Sequence, residues 1–117
     1  MNELGKYSQE AHTKAGELCD PSQLDLVVTI GLDANKFLAA AAQAKGCKVE
    51  KFDSPYTAGE FVKGQIKTGA IILAKGSQNS VFAEEAVKIL LANPGDASKL
   101  VRQSGAWLKK KQKAFGQ

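Results

Sequence analysis

The 117-residue chain is poor in the side chains that build most metal centres and nucleophilic sites: it has one histidine, two cysteines and one methionine. Cys19 and Cys47 lie far apart, with no His or Cys at metal-ligand spacing, and read as reduced thiols. Cys19 is expected on the apolar face of a helix and Cys47 at the opening of a strand, ordinary places for a small buried hydrophobe. With His12 alone, a His-based metal site or a Cys–His nucleophile pair has little support. No apolar run is long enough to span a bilayer, and the N-terminal MNELGKYSQEAH is polar throughout, unlike a secretory leader. The expectation is a cytoplasmic protein with no membrane partner. The phosphate-loop pattern Gly-x4-Gly-Lys-Ser/Thr is also missing: in AIILAKGSQNSVFAEEAV, residues 70–87, the Lys precedes the only Gly.

Acidic side chains are missing from residues 97–117, which carry Lys99, Arg102, Lys109, Lys110, Lys111 and Lys113 and so contribute +6, while the remaining residues come to −2. The basic character therefore belongs to a tail, read as a solvated helix end. Only Trp107 is interleaved with those lysines, where base stacking would want several aromatics, so nucleic acid is not an expected partner.

What remains is the composition of an ordinary globular domain, 44% hydrophobic and 24% charged. Ser8 begins a helical pattern with Ala11, Ala15, Leu18 and Cys19 on one face, ended by Asp20-Pro21. LDLVVTIG reads as a strand closing on Gly31. Asp33 is placed to cap a second helix, which Gly46 stops. CKVEKF is a shorter strand, and Asp53-Ser54-Pro55 opens a third helix with Phe61, Val62 and Ile66 inward. The run Ala70–Ala74 suits a strand buried on both faces of a parallel sheet, and a fourth helix follows with Ser80 as cap and Glu84 and Glu85 near its positive end. Alternating helices and strands predict a three-layer α/β domain, Rossmann-like, with a mainly parallel sheet flanked by helices. That domain is expected over residues 1–95, with a basic helical tail over 96–117. Three strands make a narrow sheet, and the opening loop and helix have no strand before them, so the domain is expected to be truncated on its N-terminal side.

The loop Lys75-Gly76-Ser77-Gln78 would then sit at the carboxyl end of a strand and before a helix start, a position where α/β sheets bind ligands and free N–H groups favour anions. The plainer alternative is that Gly76 allows a tight turn while Ser77, Asn79 and Ser80 compete to cap the helix.

Two stretches together, MNELGKYSQEAHTKAGE and IILAKGSQNSVFAEEAV, with LDLVVTIG between them, resemble the C-terminal domain of Mur ligases, the type that adds D-alanyl-D-alanine to the UDP-N-acetylmuramoyl tripeptide. The resemblance covers about residues 1–92. It implies part of an ATP- and magnesium-dependent amide ligase of peptidoglycan precursor synthesis, working with the ligase's central ATP-binding domain and bringing the amino acid or dipeptide to it. By this resemblance Lys75, Gly76, Ser77 and Gln78 face the incoming amino acid or dipeptide. The family usually has Arg where Gln78 stands, so the charged fork to a carboxylate is lost and the identity of the substrate is open. Glu3 and His12 could contribute nucleotide or closure contacts; equally, Glu3 is an acid near a helix start and His12 a solvent-facing or helix-packed imidazole. No catalytic residue or metal ligand is implied, and the chain alone is expected to hold no cofactor, to be inactive, and to self-associate through an exposed sheet edge. The alternative is a stand-alone α/β module for small-anion binding or regulation.

Overall fold

A computed structural model of the chain describes residues 4–77 and 80–116. They form two compact units, Met1–Asp53 and Ser54–Gln117.

In the first unit a 3-10 turn, Gly5–Tyr7, leads into α1, Ser8–Glu17. Next come β1, Val27–Ile30, a π-helical segment, Ala34–Leu38, continuing into α2, Ala39–Ala44, and then β2, Val49–Phe52. The strands pair in parallel, Val27 opposite Val49 and Ile30 opposite Phe52. Helix α1 packs on the π segment and α2, and α2 packs on both strands. The buried stripe of α1 is Ser8, His12 and Gly16, spaced by four. It is not the Ala11–Ala15–Leu18–Cys19 face expected from hydrophobicity, and Leu18 is exposed. Small residues explain the choice. A Cβ at Gly16 would lie 2.4 Å from the Leu38 carbonyl oxygen and 2.7 Å from the Ala41 Cβ, so only glycine permits this approach. Ala39, Ala42 and Cys47 complete a core of minimal side chains.

The second unit holds α3, Pro55–Gln65, α4, Glu84–Leu90, a 3-10 segment, Pro94–Lys99, and α5, Gly105–Phe115. Ser54 caps α3, its hydroxyl oxygen accepting from the Tyr56 amide at 3.2 Å, and Pro55 occupies the first turn as the sequence predicts. Helices α3 and α4 pack together. At the centre is Phe82, 1% exposed, with edge-to-face contacts to Trp107 at 6.1 Å and Phe115 at 6.3 Å, the latter also meeting Tyr56 at 5.9 Å. Phe82 adopts a φ of 49°, a left-handed conformation that costs a bulky residue on the order of 1–3 kcal/mol and persists because the surrounding rings hold it.

The three-layer, mainly parallel Rossmann-like domain is not what forms, and so neither is a truncated version of it. Among the described residues there is one sheet of two four-residue strands. The expected third strand, Ala70–Ala74, has no regular structure and lies in solvent, with Ile71 98% and Leu73 94% exposed. A continuous apolar run has the composition of a doubly buried strand, but burial needs neighbours on both sides, which composition cannot supply. Ser80 does not cap the fourth helix either: it turns at a φ of 67°, and α4 starts four residues later behind Ala83.

Candidate functional site

Parallel strands bring their carboxyl ends to one edge, and in the first unit that edge is polar. The buried Thr29 hydroxyl donates to the Asn35 side-chain oxygen at 2.7 Å. The Asn35 amide nitrogen in turn donates to the Phe52 carbonyl at 3.0 Å and to Asp53 at 3.3 Å. Asn35 thus ties the end of β1 to the end of β2. Beside this clamp, the Ser8 hydroxyl donates to Asp33.

His12, 3% exposed, places Nδ1 2.8 Å from the Ser8 carbonyl oxygen and 3.1 Å from the Ser8 hydroxyl. A carbonyl only accepts, so Nδ1 carries the proton, and the Ser8 proton is directed to Asp33. Histidine, serine and aspartate therefore meet in an order opposite to a nucleophilic triad: the serine lies between the other two, and Nδ1 has no lone pair with which to take its proton. This chain of hydrogen bonds fixes the start of α1 against the loop after β1. Of the alternatives open for His12, the helix-packed imidazole matches its place; the solvent-facing one does not. Burial, with the Cys47 thiol nearby, pushes the Cys19 thiol up, away from the reactive thiolate form.

The second unit contains a buried ionic cluster. Lys111, 1% exposed, donates to Glu85 at 2.7 Å and to the Arg102 carbonyl at 2.8 Å, and pairs with Glu84 at 2.9 Å. Arg102 meets Glu84 as a fork, Nε and one terminal nitrogen each 2.9 Å from a carboxylate oxygen. Gln103 donates to Glu85 at 3.0 Å and accepts from Lys88 at 3.0 Å. Burial alone would push both carboxyls up. The hydrogen bonds from Arg102 and Lys111 to Glu84, and from Lys111 and Gln103 to Glu85, more than offset it and hold both below the ordinary glutamate range. Burial and the adjacent Glu85 push the Tyr56 hydroxyl up. Residues 97–117 are thus only partly a solvated basic tail: two of their cations are structural.

Of the residues expected at a substrate loop, Lys75 is exposed and forms no ion pair with a described carboxylate; Gly76 is exposed and Ser77 half-buried. Gly76 has a packing reason, since a Cβ there would come within 2.6 Å of the Ala83 Cβ. Gln78 and Glu3 lie outside the described residues. Helix α4 begins seven residues beyond Ser77, and although Gly76 packs against Ala83 at its start, Glu84 and Glu85 stand in its first turn, so its positive end already faces carboxylates. His12 stands with Ser8 and Asp33 in the first unit, apart from the loop residues in the chain's division into units.

The sequence reading missed Asn35, Thr29, Arg102 and Lys111 as organising residues. A signal existed for Lys111: Trp107, Lys111 and Phe115 recur at every fourth position, which places the lysine on the aromatic face of α5. Among the described residues no cluster of His, Cys, Asp and Glu suits a metal ion, and no helix is long and apolar enough to cross a membrane. Comparison with protein-family models, with curated proteins and with solved structures gives no match to this chain.

Proposed function

We propose that the chain is a substrate-positioning, non-catalytic part of an ATP-dependent amide ligase of peptidoglycan precursor synthesis, contributing to the site for the incoming amino acid or dipeptide. The observation that carries the reading is the joint presence of MNELGKYSQEAHTKAGE and IILAKGSQNSVFAEEAV, with LDLVVTIG between them, which together resemble Mur ligases. Its physical support is local. Lys75 is an exposed ammonium with no described carboxylate beside it, a point charge free to meet a substrate carboxylate, with Ser77 two residues on. ATP and magnesium belong, in this proposal, to the ligase's central ATP-binding domain, and the chain's own contribution is to orient the amine-bearing substrate. Glu84 and Glu85 in the first turn of α4 count against the small-anion alternative.

Calorimetric titration with D-alanyl-D-alanine, with its C-terminal amide, and with the dipeptide against Lys75→Ala tests the proposal. The expected result is weak binding of the free dipeptide that falls about tenfold or more when either the ligand carboxylate or the lysine is removed, as for one charged hydrogen bond. Equal heats for acid and amide would contradict it.

A further inference from the structure

We infer that the exposed run Ala70–Ala74 is a strand donor that pairs with the open edge of β1 in a second copy of this chain, reciprocally, to form a closed dimer. The donor is unusual in two ways. Ile71 and Leu73 are almost wholly in water, and among the described residues none of 71–74 makes a backbone hydrogen bond. Unpaired backbone groups next to exposed β-forming side chains are the template for strand addition.

The acceptor follows from the geometry of the sheet. The Val27 and Gly31 amides donate to Lys48 and Phe52 across the β1–β2 pair. By strand alternation Val28 and Ile30 turn their N–H and C=O groups the other way, toward an edge with no partner in the two-stranded sheet. The two outer edges differ. Strand β2 is guarded by charge, with Lys48, Lys51 and Asp53 exposed, the usual protection of an edge. Strand β1, Val27-Val28-Thr29-Ile30, has no charged residue and is bracketed by exposed leucines, Leu24 before it and Leu32, 80% exposed, after it.

Charge agrees with the match. The donor run is flanked by Lys67 and Lys75, and β1 by Asp25 and Asp33. Because every copy has one donor and one acceptor, a two-fold exchange satisfies both and ends growth at two. About ten residues a side take part, fewer than the 20–30 of a standard interface, so the association is weak, in the upper micromolar range. A carboxylate ligand on Lys75 and the dimer would oppose each other.

Sedimentation of the full chain over a wide concentration range tests this. A monomer–dimer equilibrium is expected. The double variant Ile71→Lys/Leu73→Lys, altering side chains that touch little in the monomer, should raise the dissociation constant at least about tenfold. Val28→Pro, which removes only an edge-facing N–H, should do the same. Mixing the two variants should restore a heterodimer with one pairing. A chain that stays monomeric near millimolar concentration overturns the inference. So does a dimer indifferent to the Ile71/Leu73 change, or growth beyond two copies. If Val28→Pro unfolds, the donor variant alone decides between these outcomes.

Discussion

In Met1–Asp53 the fully buried side chains are Ala39 and Ala42, and Gly16 lets α1 approach to within contact of the Leu38 carbonyl. In Ser54–Gln117 the largest fully buried side chains are Pro55, Phe82 and Lys111, beside the small Ala58, and two glutamates and an arginine accompany them. The first unit coheres because its backbones come close; the second also has such an approach, of α3 to α4 at Gly59, and adds opposite charges and aromatic rings that enclose one another. Backbone proximity tolerates no added atom but is indifferent to pH. An enclosed ion cluster tolerates small changes in shape but not the loss of one charge. The same chain therefore offers two kinds of fragility, and they can be separated experimentally, since the single tryptophan, Trp107, reports on the second unit.

The largest effect is expected from Lys111→Met. It leaves the buried Glu84 with Arg102 and the buried Glu85 with the part-exposed Lys88, 3.7 Å away, and breaking such a cluster from one side costs about 3–5 kcal/mol. Denaturant unfolding followed by Trp107 emission should show the loss, while hydrogen exchange in α2 stays near its original level.

Acid should act next, and on the same unit. Glu84 and Glu85 have folded-state values lowered relative to the unfolded chain, so their stabilisation is present above the ordinary glutamate range, about pH 4.3, and is lost as pH falls through the folded values. The Trp107 transition should move to lower denaturant below that pH. An unchanged midpoint would mean the cluster contributes nothing net.

A smaller loss is expected from Gly16→Ala in the first unit. The new methyl meets a backbone oxygen that cannot turn aside, and such overpacking costs about 1–3 kcal/mol. Exchange in α1 and α2 should rise, with Trp107 emission unaltered. At the bottom of the series, Lys14→Ala removes a 2.6 Å pair with Glu10 that is exposed on both sides, and no measurable change in either unit is expected.

How much of this was legible in the sequence depends on whether the deciding partner was near. Ser54-Pro55 marked the start of α3, and Gly46 marked the stop after α2 with its φ of 97°, because caps and turns are decided within a few residues. Strand β1 shows in the Val-rich apolar run LDLVVTIG and β2 in the shorter, more alternating CKVEKF. Ala70–Ala74 was read as a buried strand on the same grounds, and failed because its burial depended on neighbours that the structure does not place beside it. Glu84 and Glu85 were recognised only as acids suited to a helix start. Their actual partners are Arg102 and Lys111, 18 to 27 residues away, and nothing in a Lys-Lys-Lys run singles out its last member except the phase of the helix. For the candidate loop, the sequence places Lys75 at the end of a buried strand; the structure places it, exposed, in a segment without regular structure. The helix does not follow the loop directly in sequence, since Ser80 and Phe82 carry the chain through left-handed turns before α4 begins, with Ala83 at its start against Gly76.

The contrast within the second unit, enclosed at its ion cluster and open over 70–77, is tested most directly by hydrogen exchange of the dilute chain, well below any association. Amides of 85–90 and 108–115 should be protected to the level of global unfolding, while those of 71–74 exchange at close to the rate of an unstructured peptide. Protection of 71–74 as strong as that of α4 and α5 under these conditions would contradict the account: the run would already be paired within its own chain, and neither a free loop at Lys75 nor a strand donor would exist.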